Sequence, residues 1–145
     1  NVTLATMIEY CYEISFRLAD EGKTTDWINK VIRSEGKQIE ELSYVFCDDE
    51  RLLELNQKFL NHDTYTDILT FPYGDSEDIH ADIFISVPRV RENAVKFGSE
   101  EEEELRRVMV HGVLHLLGYD DHGVDAKLRM RELENNKLDM FHVEQ

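Results

Sequence analysis

The stretch VMVHGVLHLLGYDDHG, residues 108–123, places His111 and His115 four residues apart and follows them with Gly118, Asp120, Asp121 and a third histidine, His122. Histidines at i and i+4 of a helix project from one face, one turn apart, so their imidazole nitrogens can converge on a single ion. Val108, Val110, Val113, Leu114, Leu116 and Leu117 surround the pair, and an apolar wall of this kind keeps the imidazole neutral, its ligating form. Gly118 can take a left-handed conformation, ending the helix and turning the chain back so that a later side chain supplies a third ligand. Three protein ligands with an open position make a catalytic zinc site, whereas a structural site is closed by four. No cysteine lies nearby to close it. The spacing therefore predicts one zinc ion, or another divalent transition metal, held by His111 and His115, both also catalytic.

The peptidase motif H-E-x-x-H carries its general base directly after the first histidine. That position is Gly112, which cannot take a proton. The helix is zincin-like, but its chemistry must differ. A bound ion would lower the pKa of water and act as a Lewis acid, while Asp120, Asp121 or backbone carbonyls could fix the imidazoles. No general base is visible. Asp67, Thr66 and Ser86 are read first as turn and cap residues, with Asp67 also able to orient a ligand histidine.

These residues need a frame to hold them. Ile8, Tyr10, Tyr12, Ile14 and Phe16 alternate as a half-buried strand over 8–16. A helix is expected from an N-cap at Thr25 to a stop at Gly36, and a second strand over 42–47. Asp48 or Asp49 then caps a helix with Leu52, Leu53, Leu55 and Phe59 on one face. Residues 61–67 read as a loop, ILTFP as a third strand and 79–87 as a fourth. Ser86 and Pro88 open a helix that Gly98 closes. Ser99 with Glu102 is expected to form a capping box for the histidine helix, which runs through Leu117. A last helix covers 124–140, with Leu128, Leu133 and Leu138 among its apolar contacts. The order predicts a single α+β domain over 1–145: a small mixed four-stranded sheet covered by helices. Asn1–Thr6, ahead of Met7, read as either a tag remnant or a short extension.

The chain has 145 residues and a formal net charge of −15, which disfavours loose binding to nucleic acid. The charge is uneven, however. Glu100–Glu104 concentrate it at the start of the histidine helix, and Arg89, Arg91, Lys96, Arg106 and Arg107 leave room for a local basic groove. Nothing approaches a membrane-spanning run or a signal segment. Cys11 and Cys47 fit two reduced cysteines in a cytoplasmic protein.

HGVLHLLGYDDH resembles the signature of the YbeY family, bacterial rRNA maturation factors regarded as metal-dependent single-strand endoribonucleases. LNQKFLNHDTYTDILTFPYG (55–74) is similar to the family's central loop-and-strand motif and ADIFIS (81–86) to its following strand. The resemblance implies a mixed sheet with a three-histidine metal site, a cytoplasmic location, ribosomal RNA as substrate, and ribosomes or ribosomal proteins as partners in rRNA processing and quality control. The family's third histidine falls six residues after the second, which is Asp121 here. Either the turn absorbs one residue and His122 binds, the preferred reading, or Asp121 has taken the position. Leu60 stands where many members carry an arginine, and its loss removes a bidentate phosphate clamp. His62 stands where a lysine is common and reads either as a substrate-binding residue or as a surface loop histidine. Two functions follow: an endoribonuclease of rRNA maturation, or a ribosome assembly factor whose metal is mainly structural.

Overall fold

A computed structural model describes residues 7–60, 66–74 and 77–142; Asn1–Thr6 and His62 lie outside them. The strands are β1 (Ile8–Tyr12), β2 (Ile39–Cys47), β3 (Ile68–Pro72) and β4 (Ile79–Ser86), and the helices α1 (Glu21–Ser34), α2 (Asp49–Leu55), α3 (Val87–Phe97), α4 (Glu101–Leu116) and α5 (Val124–Asp139). The sheet order is β1-β2-β4-β3. β1, β2 and β4 pair in parallel, and β3 runs antiparallel to β4 with Ile68 opposite Ile85. This is the expected mixed four-stranded sheet with helices, in the expected order. Among the described residues no helix is long and apolar enough to cross a membrane.

Alternation along the strands divides the interior. Leu42, Tyr44 and Phe46 of β2 and Ala81, Ile83 and Ile85 of β4 point into the main core with Trp27, Ile28 and Val31 of α1 and Val108, Met109 and Val113 of α4. Cys47, Leu69, Phe71 and Phe84 meet Leu52 and Leu55 of α2 in a smaller cluster. Covering both sides of β2 and β4 suits a mostly parallel sheet. α4 is pinned to the sheet by the buried Tyr44 hydroxyl, which donates to the Met109 carbonyl at 3.1 Å.

Several boundaries differ from the sequence reading, each for a local reason. β1 stops at Tyr12, although Ile14 and Phe16 still lie against the core. α1 begins four residues before Thr25, because the Asp20 side chain caps it by accepting from the Lys23 amide at 3.0 Å; Thr25 instead shares a hydrogen bond with the Tyr10 hydroxyl. α2 passes into a π-helical turn, Asn56–Leu60, whose wider winding rotates Phe59 off the Leu52–Leu55 stripe; its side chain is exposed. Ser99 does not cap α4. Its amide bonds the Ala94 carbonyl at 2.9 Å, alongside Gly98 to Val95, so it completes the end of α3 in the Schellman pattern. α4 starts instead from Glu100 with no side-chain cap. On α5, Leu128 is exposed, and the inward face is made by Met130, Glu134, Lys137 and Leu138.

Candidate metal centre

His111 and His115 occupy the last two turns of α4, which ends as its glycine predicts. Gly118 has φ 103°, its amide bonds the His115 carbonyl, and the Tyr119 amide bonds that of Leu114, both at 3.0 Å. This second Schellman pattern reverses the chain and brings residues 120–122 back over the histidine face.

The two Nε2 atoms face each other at 3.1 Å. The Asp121 Oδ2 completes the triangle, 3.7 Å from His111 Nε2 and 3.8 Å from His115 Nε2. Ligand atoms bound at about 2.0–2.2 Å to a tetrahedral ion stand about 3.3–3.6 Å apart, so these separations bracket those of a bound ion. Two ring nitrogens and a carboxylate oxygen are also electron-pair donors aimed at one point, the chemistry that a divalent cation completes. The residues fit a metal. His122 is placed differently: its ring is exposed to solvent, with Nδ1 2.7 Å from Asp120 Oδ1, and its amide donates to the same oxygen at 2.8 Å. That local turn directs His122 outward and leaves Asp121 facing the histidines. Asp120, Asp121 and His122 nevertheless lie close enough to one another to form a second, more exposed donor group.

Glu134 was not visible from the sequence. It is buried on α5, and its Oε2 lies 2.6 Å from His111 Nδ1. A carboxylate can only accept here, so Nδ1 carries the proton and Nε2 keeps its lone pair for an ion. The other oxygen, Oε1, accepts from Arg107 at 2.9 Å, and Arg107 also donates to Asn135 at 2.8 Å. Burial opposes charge on the His111 ring, but Glu134, with Asp121 and Asp67 nearby, outweighs it and raises the pKa above the ordinary value. Burial likewise opposes charge on Glu134, and the hydrogen bonds from His111 and Arg107 prevail, lowering its pKa.

A second set of bonds ties the returning turn and α5 to α1. The Tyr119 hydroxyl donates to Glu35 Oε1 at 2.7 Å, while Lys137 Nζ donates to Glu35 Oε2 at 2.8 Å and Ser34 Oγ at 2.9 Å. The Trp27 indole donates to the Lys137 carbonyl at 2.7 Å. Lys137 follows Glu134 by three residues and Tyr119 precedes Asp121 by two, so one knot holds both the ligand turn and the helix that orients His111. Tyr119→Phe removes one member. We expect a stability loss of about 1 kcal/mol in urea unfolding, and metal affinity weakened by up to about tenfold in a competition titration with a chromogenic chelator. Unchanged affinity would show that the turn is held without Tyr119.

The triangle opens into a cleft of about 610 Å³ between α4 and the edge strand β3, with Thr66, Asp67 and Thr70 on its far wall. Asp67 is kept above the ordinary carboxylate pKa mainly by burial, against the pull of His111; its backbone carbonyl accepts from the Ser86 amide at 3.0 Å. Ser86 caps α3 and donates to Asp49 at 2.6 Å, as its cap reading expects. Gly112 faces the sheet. A Cβ there would stand 2.8 Å from Ile68 Cδ1 and 3.3 Å from Ile83 Cδ1, so the glycine lets α4 lie close enough to carry its histidines to the β3 edge.

An α+β domain with a histidine-pair helix laid on a mixed sheet, and a carboxylate closing the triangle beside an open cleft, has the build of a small metal-binding hydrolase. Comparison with known proteins makes this specific: the chain belongs to the Endoribonuclease YbeY family, which it matches over residues 11–142. It is 51% identical over 139 residues to the Endoribonuclease YbeY of Flavobacterium psychrophilum, covering 96% of this chain and 99% of that one. It is likewise 51% identical over 140 residues to that of Flavobacterium johnsoniae, covering 96% and 100%. Among solved structures, the solution structure of TM1509 from Thermotoga maritima matches with a TM-score of 0.66 at 28% identity, over 93% of this chain and 89% of that one.

Proposed function

We propose that this chain is a metal-dependent endoribonuclease that cuts single-stranded RNA in the cytoplasm, in the maturation of ribosomal RNA and the quality control of ribosomes. The observation that carries the reading is the convergence of His111, His115 and Asp121 at an open cleft in a chain of an endoribonuclease family. Asp121 is the third ligand in this proposal, with His122 outside the coordination sphere. The ion is one zinc or another divalent transition metal. When bound, it supplies Lewis acidity toward a phosphate oxygen and makes water more acidic.

The chain's own residues do the rest. His111 and His115 offer Nε2, Glu134 fixes the His111 tautomer through Nδ1, and Arg107 holds Glu134. Asp67, across the cleft, is placed to hold or accept a proton. His62 is assigned to a substrate phosphate in place of the arginine that Leu60 has displaced. Ribosomes and ribosomal proteins enter as partners through the family resemblance. A mainly structural metal is the weaker reading, because a three-donor cluster facing a cleft is built to admit a substrate.

The test is cleavage of unstructured and duplex RNA by chain reconstituted with zinc or manganese, against His115→Ala. Rates on the single strand should fall by more than about a hundredfold, with the circular dichroism spectrum retained and duplex RNA spared by both. Equal cleavage by His115→Ala would refute the assignment.

A further inference from the structure

A second pocket, of about 570 Å³, lies toward the N-terminal end of α4, between the start of α1, the first turns of α4 and Phe141. Arg17, Lys23 and Arg106 line it. Lys23 Nζ is 4.5 Å and Arg106 Cζ 4.2 Å from the centre of the Phe141 ring, and Arg17 Cζ is 4.8 Å from that of Tyr12. The aromatic faces position the cations without neutralising them.

The acids on the same wall are mostly engaged. Asp20 caps α1, and Glu101 pairs with Arg91 at 2.9 Å. With Glu102 counted, the lining still carries one more basic residue than acidic. Among the described residues, no ion pair joins a carboxylate to Arg17, Lys23 or Arg106. Arg89 is held by Asp49, Arg107 by Glu134, Lys37 by Glu77, and Arg51 by Glu13 and Glu54. Arg33, Lys96 and Arg129 also stand outside the ion pairs among the described residues, but on three different helices, whereas Arg17, Lys23 and Arg106 converge on one pocket.

We propose that this pocket is a second RNA contact, holding phosphates of the single-stranded substrate away from the bond that is cut; the proposal rests on the ribonuclease reading above. A chain of net charge −15 repels RNA at long range, and the cleft itself carries Asp67 and Asp121. Affinity must therefore come from local, uncommitted cations, and this pocket supplies three. Arg106 precedes His111 by five residues, about 7.5 Å along the helix axis, and projects from a different side of α4. A strand that reaches both sites bends around the helix, which a flexible single strand does readily and a stiff duplex does not.

The experiment is fluorescence anisotropy of a short, labelled, unstructured RNA on the full chain, with chelator present so that the RNA stays intact. It is followed by cleavage kinetics on metal-loaded chain. The pocket variant is Arg17→Gln/Lys23→Gln/Arg106→Gln, which keeps much of each stem over the aromatic rings. The control, Arg33→Gln/Lys96→Gln/Arg129→Gln, removes equal charge elsewhere. The pocket variant should weaken binding by about tenfold at physiological salt and flatten the dependence of log Kd on log salt by about 2, the value for three single-strand phosphates, with the control near wild type. Its KM should rise with kcat little changed. Equal losses in both variants would mean a net-charge effect, and no loss in either, or no RNA binding by the wild type, would equally overturn the proposal. Pyrophosphate bound at the pocket with RNA affinity unchanged in the variant would also overturn it. RNA bound through the pocket but left uncut after metal loading would instead refute the ribonuclease reading and leave the RNA contact standing.

Discussion

Asp121→Ala should empty the metal site, and His122→Ala should leave it filled. Elemental analysis of reconstituted chain should give about one ion per wild-type chain, about one for His122→Ala and almost none for Asp121→Ala, an affinity loss of more than about a hundredfold. The expectation follows from direction rather than residue type. Imidazole and carboxylate are both good zinc ligands, but the Asp121 oxygen stands 3.7 and 3.8 Å from the two histidine nitrogens, while His122 is turned to solvent against Asp120. Asp121→His is the matched rescue. It puts a histidine six residues after His115, the family spacing, and should load again. Loss in His122→Ala with retention in Asp121→Ala would reverse the assignment and require the turn after Gly118 to rearrange on binding.

The second large effect belongs to Glu134. Glu134→Ala leaves Arg107 and His111 facing a buried gap, and truncating one partner of a buried charged network costs about 3–5 kcal/mol, read by urea unfolding of the metal-free chain. Metal affinity should also fall by about ten- to a hundredfold, since the ring loses its orienting partner. Glu134→Gln separates the two effects. Its carbonyl oxygen can still accept from Arg107, so much of the fold energy stays. Its amide would donate to His111 Nδ1, driving the proton to Nε2 and blocking the ligand position. A Gln variant that folds well but binds metal poorly is the expected result; one that binds like wild type would show that Glu134 is structural only. The sign with pH is also fixed. The Glu134 pKa is lowered in the fold, so its contribution is present above the unfolded carboxylate pKa and is lost as the pH falls through the folded value. Both Glu134 variants should lack this acid-sensitive part.

Much of this arrangement was legible in the chain because its signals are local. The alternation at Ile79, Ala81, Ile83 and Ile85, the Ser86–Pro88 start and Gly98 stop of α3, and the His111–His115 spacing each depend on neighbours within a turn or a strand. Gly118 ended α4 as expected. What escaped was set by distance or by competition. Glu134 lies 23 residues from His111 in a helix whose polar residues look like any solvated face, and only packing reveals that this face is buried. Ser99 looked like a helix cap but was claimed by the end of the preceding helix, and Thr25 was forestalled by Asp20. Which of Asp121 and His122 faces the histidine pair in this fold depends on an Asp120 side chain bonding two residues on, a one-residue matter that spacing cannot resolve. Of the basic residues marked in the sequence, Arg89, Arg91 and Arg107 are held in ion pairs. The pocket is completed by Arg17 and Lys23, far from Arg106 in the chain.

Gly112 bears on redesign. In peptidases with a similar helix, the residue after the first histidine is the glutamate that moves the proton. Here that position is pressed onto the sheet so closely that even a methyl group would collide with Ile68. A glutamate there must displace the tip of Ile68 and crowd Ile83; were those side chains held in place, α4 would lift from β3 and carry the two histidines away from the edge strand that forms the opposite bank of the cleft. The contact that brings the two histidines to the cleft thus crowds a base on the helix, and a designer seeking new chemistry here would do better to place one on β3, across from the helix.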